Sequence, residues 1–420
     1  MAEDIFVVKG LDGRRVLKGE ISVRGSKNAA LPALAASVLF DKPPVFENVP
    51  EIKDIEVMRE ILASSEFKKG ELSRDCAKRM RASVILIGPL LALHGSARFP
   101  HPGGCVIGAR PIDFFVEGFK KMGASYSEDG GDYFLRAPKD GLRGADIFFP
   151  NPSVTGTETF MLAAIRASGK TILRNAAMEP EVVFLANTLK KGGADISGEG
   201  TPTIEIVGSK KLLRAPKTAI KIIPDRIEAG SFLILAALAG KDISITDCEP
   251  EHIRIVIELL RSAGVEIEEG ARTLRVRAPI TKLGAQHSLY KSFSIKTHEY
   301  PGFPTDLQAP LAVFLTQAEG ESLIHETIFE GRMAYAKDIS SMGADITQWD
   351  AHRATVKGPT PLKGKELYGP DLRAGLAYLI AAIIARGDSV IHNVSFIDRG
   401  HERLEERLSK IGVNIKRENL

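Results

Sequence analysis

The chain has 420 residues, a net charge of +3, and 44% hydrophobic against 26% charged residues. That is the make-up of a globular protein with material for two domains, and the charge is too small to argue for nucleic acid on its own. Three cysteines exclude a disulfide framework and suit a reducing compartment. The apolar runs at 31–40, 84–93, 232–240 and 376–385 fall short of a membrane span. The opening MAEDIFVVKG carries acids where a signal peptide carries basic residues. A cytoplasmic protein without a membrane or nucleic-acid partner is expected.

The first predicted element is a helix that begins within Ser26-Lys27-Asn28-Ala29-Ala30. Asn28 reads as its N-cap, and Lys27 stands at its mouth, where it can meet an anion. Next comes ENVPEIKDIEV (47–57), the first of six related segments. The others are PGGCVIGARPIDFF, RNAAMEPEVVF, TDCEPEHIRIV, HETIFEGRMAY and HNVSFIDRGHERL. Amphipathic helices follow these segments, and five of them stop at Gly123, Gly193, Gly264, Gly343 and Gly412. Each glycine reads as a helix C-terminal cap that needs a left-handed backbone, with a short strand after it. Ala/Leu-rich stretches such as GTETFMLAAIRASGKTIL lie upstream of most copies and read as buried helix, turn and strand.

The unit is therefore helix, strand, helix, strand, strand, about 70 residues long and repeated six times. Two sets of three such units make two similar α/β domains with buried helices inside and strands outside. Solenoid stacking is the alternative, but its repeats run shorter. The first copy departs from the pattern, its Gly-strand-strand compressed into EFKKGELSRDCAKRM.

Residues 102–111, PGGCVIGARP, carry the sharpest chemical signal. Gly103, Gly104 and Gly108 allow close approach to a ligand, and Arg110 can serve a substrate anion or the Cys105 thiolate. The segment reads as a loop that brings a reactive thiol to an anionic substrate. Cys76 and Cys248 lie in ordinary runs and read as structural. Arg81 and Arg373 head Ala-rich helices, while Arg110, Arg332 and Arg399 lie at repeat-helix starts. Arginines at equivalent repeat positions suit carboxylate or phosphate recognition. PGFPTDLQAPL (301–311) places Asp306 before another buried helix, as a cap or as a base toward a substrate hydroxyl. There is no phosphate loop, dinucleotide fingerprint, HExxH or cysteine-pair metal motif, so neither cofactor nor metal is expected.

In order, GSKNAALP, MRAS, PGGCVIGARP, PDRIE, FPTDLQ, FEGR, PDLRAG and IDRGHERLEE resemble the UDP-N-acetylglucosamine 1-carboxyvinyltransferases, over nearly the whole chain. The resemblance implies a two-domain inside-out α/β barrel built from six βαβαββ-type repeats, three per domain. The domains would span 22–223 and 1–21 plus 224–420, with the active site in the interdomain cleft. It implies enolpyruvyl transfer from phosphoenolpyruvate to the 3′-hydroxyl of UDP-N-acetylglucosamine, with release of phosphate. Cys105, Asp306, Lys27 and Arg399 would be catalytic: Asp306 as base on the sugar hydroxyl, Cys105 as general acid or in product release. Lys27, Arg110 and Arg399 would contact phosphoenolpyruvate, with Arg81, Arg332 and Arg373 as further cations. Asn28, Ser153, Val154, Thr155, Asp306 and Ile328 would hold the nucleotide sugar. Cys105 would also be the site of attack by the family's epoxide inhibitor fosfomycin.

The sister 3-phosphoshikimate transferases lack the cysteine loop, and a silent paralogue would have lost motifs that are present here. Three positions depart from the family pattern. Asn151 stands where some members have a lysine, His101 stands where an apolar residue is frequent, and the first repeat is shortened.

Overall fold

A computed structural model describes residues 4–101, 112–277 and 290–419. Cys105, Arg110 and the rest of the PGGCVIGARP segment lie outside the described residues. The chain divides into two compact units. The middle unit runs from Gly25 to Ile223, and the terminal unit combines the residues up to Arg24 with those from Pro224 onward. Each has its own hydrophobic core.

Three core helices belong to the middle unit: α1 (Lys27–Ala36), α2 (Ile87–His94) and α3 (Val154–Ala164). The terminal unit has α4 (Arg226–Ala239), α5 (Gln308–Leu315) and α6 (Leu372–Ile384). Their sequences are apolar on all sides, so they are stable only when enclosed. Every residue of α5 is buried, as is every residue of α4 after Arg226. Four of the six begin at a side-chain cap: Ser26, Ser153, Asp225 and Asp371 each accept a backbone N–H of the first turn. The other two, α2 and α5, begin in 3₁₀ turns, Arg81–Leu86 and Thr305–Leu307. Both carry proline at their third residue (Pro89 and Pro310), where the missing N–H costs no helical bond. The expected cap at Asn28 is corrected. Ser26 caps α1 through its Oγ, 3.3 Å from the Ala29 nitrogen, and Asn28 lies inside the helix.

Amphipathic helices cover the cores. Five of them stop as expected, with Gly123, Gly193, Gly264, Gly343 and Gly412 at φ of 92°, 95°, 99°, 109° and 102°. The glycine stands one residue past the cap, and the next N–H reaches back to the helix, as from Ala124 to the Phe119 carbonyl at 2.9 Å. The strand that follows alternates: in Thr273–Arg277, Leu274 and Val276 face the core while Thr273 and Arg277 face solvent.

Among the described residues the terminal unit has three four-stranded sheets, whereas the middle unit has sheets of four, three and two strands. Most of the deficit falls on the first repeat, whose sheet has two strands. After helix Lys53–Ala63 the chain forms the 3₁₀ turn Phe67–Lys69, a left-handed Gly70 and then helix Arg74–Arg79. The expected strand pair is replaced by helix. The sixth repeat ends on strand Asn414–Asn419. Its partner is the N-terminal strand Asp4–Lys9, antiparallel with Val8 opposite Ile415. The start of the chain thus completes the last unit.

Candidate active site

The repeated architecture sets the expected site residues at helix N-termini. Lys27 is the first residue of α1 and Arg81 opens the turn into α2. Ser153 caps α3, whose first residues are Val154 and Thr155. In the terminal unit Asp306 lies in the turn into α5, and Arg373 is the second residue of α6. Helix N-termini favour anions, because their first N–H groups lack intrahelical acceptors and the macrodipole is positive there.

In the terminal unit these ends converge on one carboxylate. Asp306 Oδ1 accepts from Arg332 Nη2 at 2.6 Å, and Oδ2 lies 2.8 Å from Arg373 Nη2. The two arginine side chains are only 4% and 7% exposed, against 23% for Asp306. Burial pushes the Asp306 carboxyl upward, but the charges of Arg373, Arg332 and Arg226 outweigh it. They hold the carboxyl well below the usual carboxylate range. Arg226 is the first residue of α4, so α4, α5 and α6 all contribute to this point. Gly230 in α4 makes room for the turn: a Cβ there would stand 2.4 Å from Cδ1 of Leu307, next to Asp306. The cap reading of Asp306 gives way to a role as an ion-paired carboxylate, since its turn has no side-chain cap bond. Ile328 and Arg399 lie half-buried in the same unit, in the segments after strands Gly320–His325 and Asp388–His392.

In the middle unit the Lys27 ammonium lies 2.6 Å from Oδ2 of Asp54, in the first turn of helix Lys53–Ala63. Asp54 is 4% exposed and Lys27 15%. The acid offsets the repulsion between a cation and the positive end of α1. Asn28 is half-buried beside it. Pro32 lacks the N–H that would bond to the Asn28 carbonyl. Ser153 Oγ accepts from the Gly156 nitrogen at 3.1 Å, and Val154 and Thr155 are half-buried above it. Asn151 is exposed, and His101 is exposed beside the Tyr133 ring at 6.2 Å.

Several titratable groups stand at these sites without having been singled out from sequence. Asp371, the cap of α6, lies 4.0 Å from Arg332 Nη1. Asp225, the cap of α4, opens the turn that carries Arg226. An acid directly before an Ala-rich helix marks both, in PDRIE and PDLRAG, and could have identified them. Glu228 in the first turn of α4 takes two bonds from Arg407, at 2.7 and 2.8 Å. Glu158 in α3 is 2% exposed, and burial, then Glu181 and Glu179, push its carboxyl well above the usual range. Nothing in the local sequence announces these, since their partners are distant in the chain. Cys248 is buried, which raises its thiol to about 11, in line with a structural role.

The family model of EPSP synthase (3-phosphoshikimate 1-carboxyvinyltransferase) matches residues 11–408. A UDP-N-acetylglucosamine 1-carboxyvinyltransferase of Solibacter usitatus is 43% identical over 431 residues, covering 99% of each chain. One from Desulforapulum autotrophicum is 42% identical, covering 96% of this chain and 98% of its own. Among solved structures, the enolpyruvyl transferase NikO from Streptomyces tendae superposes with a TM-score of 0.85 at 24% identity, covering both chains in full. EPSP synthase from Acinetobacter baumannii gives 0.71 at 18% identity, covering 99% of this chain and 100% of its own. At those identities the structural likeness speaks for the fold.

Proposed function

The chain belongs to the enolpyruvyl transferases, within them to the UDP-N-acetylglucosamine 1-carboxyvinyltransferases, and from that premise we propose how its residues divide the reaction. The enzyme transfers the enolpyruvyl group of phosphoenolpyruvate to the 3′-hydroxyl of UDP-N-acetylglucosamine with release of phosphate, which opens peptidoglycan precursor synthesis. The acceptor oxygen bonds to C2 of phosphoenolpyruvate while its proton leaves and C3 gains a proton. The C2–O bond to phosphate then breaks and C3 gives up a proton, which restores the double bond. Three demands follow: a base at the hydroxyl, an acid at C3, and cations for the carboxylate and phosphate.

The observation that carries the assignment is the Asp306 carboxylate held between Arg332 and Arg373 where α4, α5 and α6 converge. Asp306 orients the hydroxyl and takes its proton. A carboxylate held so low is a weak base. An anionic substrate that draws either guanidinium toward itself raises its basicity, so proton transfer waits until both substrates are bound. Lys27, Arg110 and Arg399 bind phosphoenolpyruvate, with Arg81 as a further cation. The N-terminal turn of α3, with Ser153, Val154 and Thr155, and the segment at Ile328 hold the nucleotide sugar, joined by Asn28. Cys105 is the residue that reacts with phosphoenolpyruvate, as acid or in product release. These cations supply the stabilisation of developing charge. A cytoplasmic enzyme acting on small molecules, without nucleic acid, accords with the cysteine usage and near-balanced charge. Among the described residues no helix is long and apolar enough to cross a membrane.

The test is phosphate release from phosphoenolpyruvate with each of two acceptors. Release with UDP-N-acetylglucosamine and none with shikimate 3-phosphate is expected. Release with the shikimate acceptor alone overturns the substrate, and release with neither overturns the activity.

A further inference from the structure

Glu326 lies outside every role assigned above, yet it is fully buried and its carboxylate is saturated with donors. Oε1 accepts the backbone N–H groups of Ile328 at 2.8 Å and Phe329 at 3.0 Å. Oε2 accepts from Thr305 Oγ1 and from Gln308 Nε2, both at 2.9 Å. Four donors fill the acceptor sites of one carboxylate. The main chain of Glu326 is held as well: its N–H donates to the His352 carbonyl at 2.7 Å, and its carbonyl lies 2.9 Å from His352 Nδ1.

The two sides of this carboxylate lead to two parts of the proposed acceptor site. One side sets the backbone at Ile328. The other holds Thr305, whose hydroxyl hydrogen is committed to Glu326 and whose oxygen accepts from Arg332 Nε at 3.2 Å. Arg332 in turn donates to Asp306 at 2.6 Å. The Arg332 guanidinium also lies over the Phe329 ring, 5.3 Å from its centre. A closed circuit therefore runs Glu326, Thr305, Arg332, Phe329 and back to Glu326. A carboxylate that can only accept forces the direction of every hydrogen bond in it.

We infer that Glu326 is a positioning residue for the transfer reaction, locking the Asp306–Arg332 pair and the Ile328 backbone into one geometry for the nucleotide sugar. The inference rests on the reading of Asp306 and Ile328 as acceptor-side residues. Glu326→Gln keeps the shape but sets an amide donor against donors. Both Thr305→Val and Thr305→Ser leave Glu326 in place, but only the first breaks the link to Arg332.

Steady-state kinetics on the full chain tests this. For Glu326→Gln, KM for UDP-N-acetylglucosamine rises about tenfold and kcat falls about tenfold, as expected for an unsatisfied buried polar group. KM for phosphoenolpyruvate stays within about twofold. Thr305→Val shifts the same parameters, Thr305→Ser restores them, and the Glu326→Gln/Thr305→Val double variant is less than additive. A purely structural role would lower the active fraction, hence kcat, and leave KM alone. Wild-type KM for the nucleotide sugar in folded Glu326→Gln overturns the inference, and so do additive effects. If Glu326→Gln does not fold, the Thr305 pair decides: equal KM in Thr305→Val and Thr305→Ser overturns it. Asp306→Asn measured alongside keeps the two readings apart. Wild-type turnover there refutes the role of Asp306, whatever Glu326→Gln does.

Discussion

Replacing Asp306 by Asn separates the chemical from the structural work of one carboxylate. The side chain keeps its size, but Arg332 and Arg373, 4% and 7% exposed, lose the charge that lies 2.6 and 2.8 Å from them. Removing one partner of a buried ion pair costs about 3–5 kcal/mol. Asp371 remains 4.0 Å from Arg332, and the amide retains one acceptor oxygen. We therefore expect a loss of roughly 2–3 kcal/mol. For a unit of this size that corresponds to a fall in melting temperature of roughly 4–12 °C. Phosphate release falls by about a hundredfold or more, the typical contribution of a positioned base.

The pH dependence has a definite sign. The folded carboxyl is held below its ordinary value of 3.8. Its stabilisation is therefore fully present above that value and is lost as pH falls through the folded pKa. The stability gap between variant and wild type should be constant from neutral pH down to about 5 and close only in stronger acid. Differential scanning calorimetry at several pH values reads the gap, and a coupled phosphate assay reads turnover. A variant that melts with wild type refutes the buried-clamp reasoning, and one that turns over like wild type refutes the base.

Three further outcomes are expected. Cys105→Ala abolishes turnover with the fold intact, and intact-mass spectra show a fosfomycin adduct on wild type, with nucleotide sugar present, but not on the variant. An adduct that persists in the variant would assign the reactive thiol elsewhere. Glu158→Gln gains on wild type as pH rises. The Glu158 carboxyl is raised above its ordinary 4.5 by burial and by Glu181 and Glu179, so its stabilisation is full below that value and is lost as pH climbs toward the folded pKa. Melting temperatures that keep a constant difference across pH contradict this. Asp54→Asn frees the Lys27 ammonium now held at 2.6 Å and raises KM for phosphoenolpyruvate about fivefold through lost positioning. An unchanged KM shows that Lys27 does not need Asp54.

Much of the architecture is written locally. An Ala/Leu-rich run with no polar face must be enclosed, and a glycine after an amphipathic helix ends it in the left-handed region. Five such glycines, each with positive φ, make the repeat legible from one sequence. The motif residues were legible for a related reason: Lys27, Asp306 and Arg373 each stand at the entry to a core helix, a place that the helix pattern marks. The sequence misled at one cap and showed only a departure, not its form, in the first repeat. Ser26 and Asn28 are both good caps two residues apart, and the helix phase chose Ser26. In the first repeat the residues after Gly70 formed helix Arg74–Arg79 where the repeat pattern called for strands.

By itself, then, the sequence determined the six-fold repeat, the helix ends and the residues that stand there. Those follow from interactions between residues a few positions apart. The tertiary structure alone decided which polar groups meet: Asp306 with Arg332 and Arg373, Lys27 with Asp54, Glu326 with Thr305 and the backbone at Ile328. It alone also joined Asp4–Lys9 to Asn414–Asn419, so that the first strand of the chain finishes the last repeat. The physical reason is range. Helix caps and left-handed glycines are satisfied within a turn, whereas strand ladders and buried ion pairs take partners from anywhere the packed cores bring within about 3 Å.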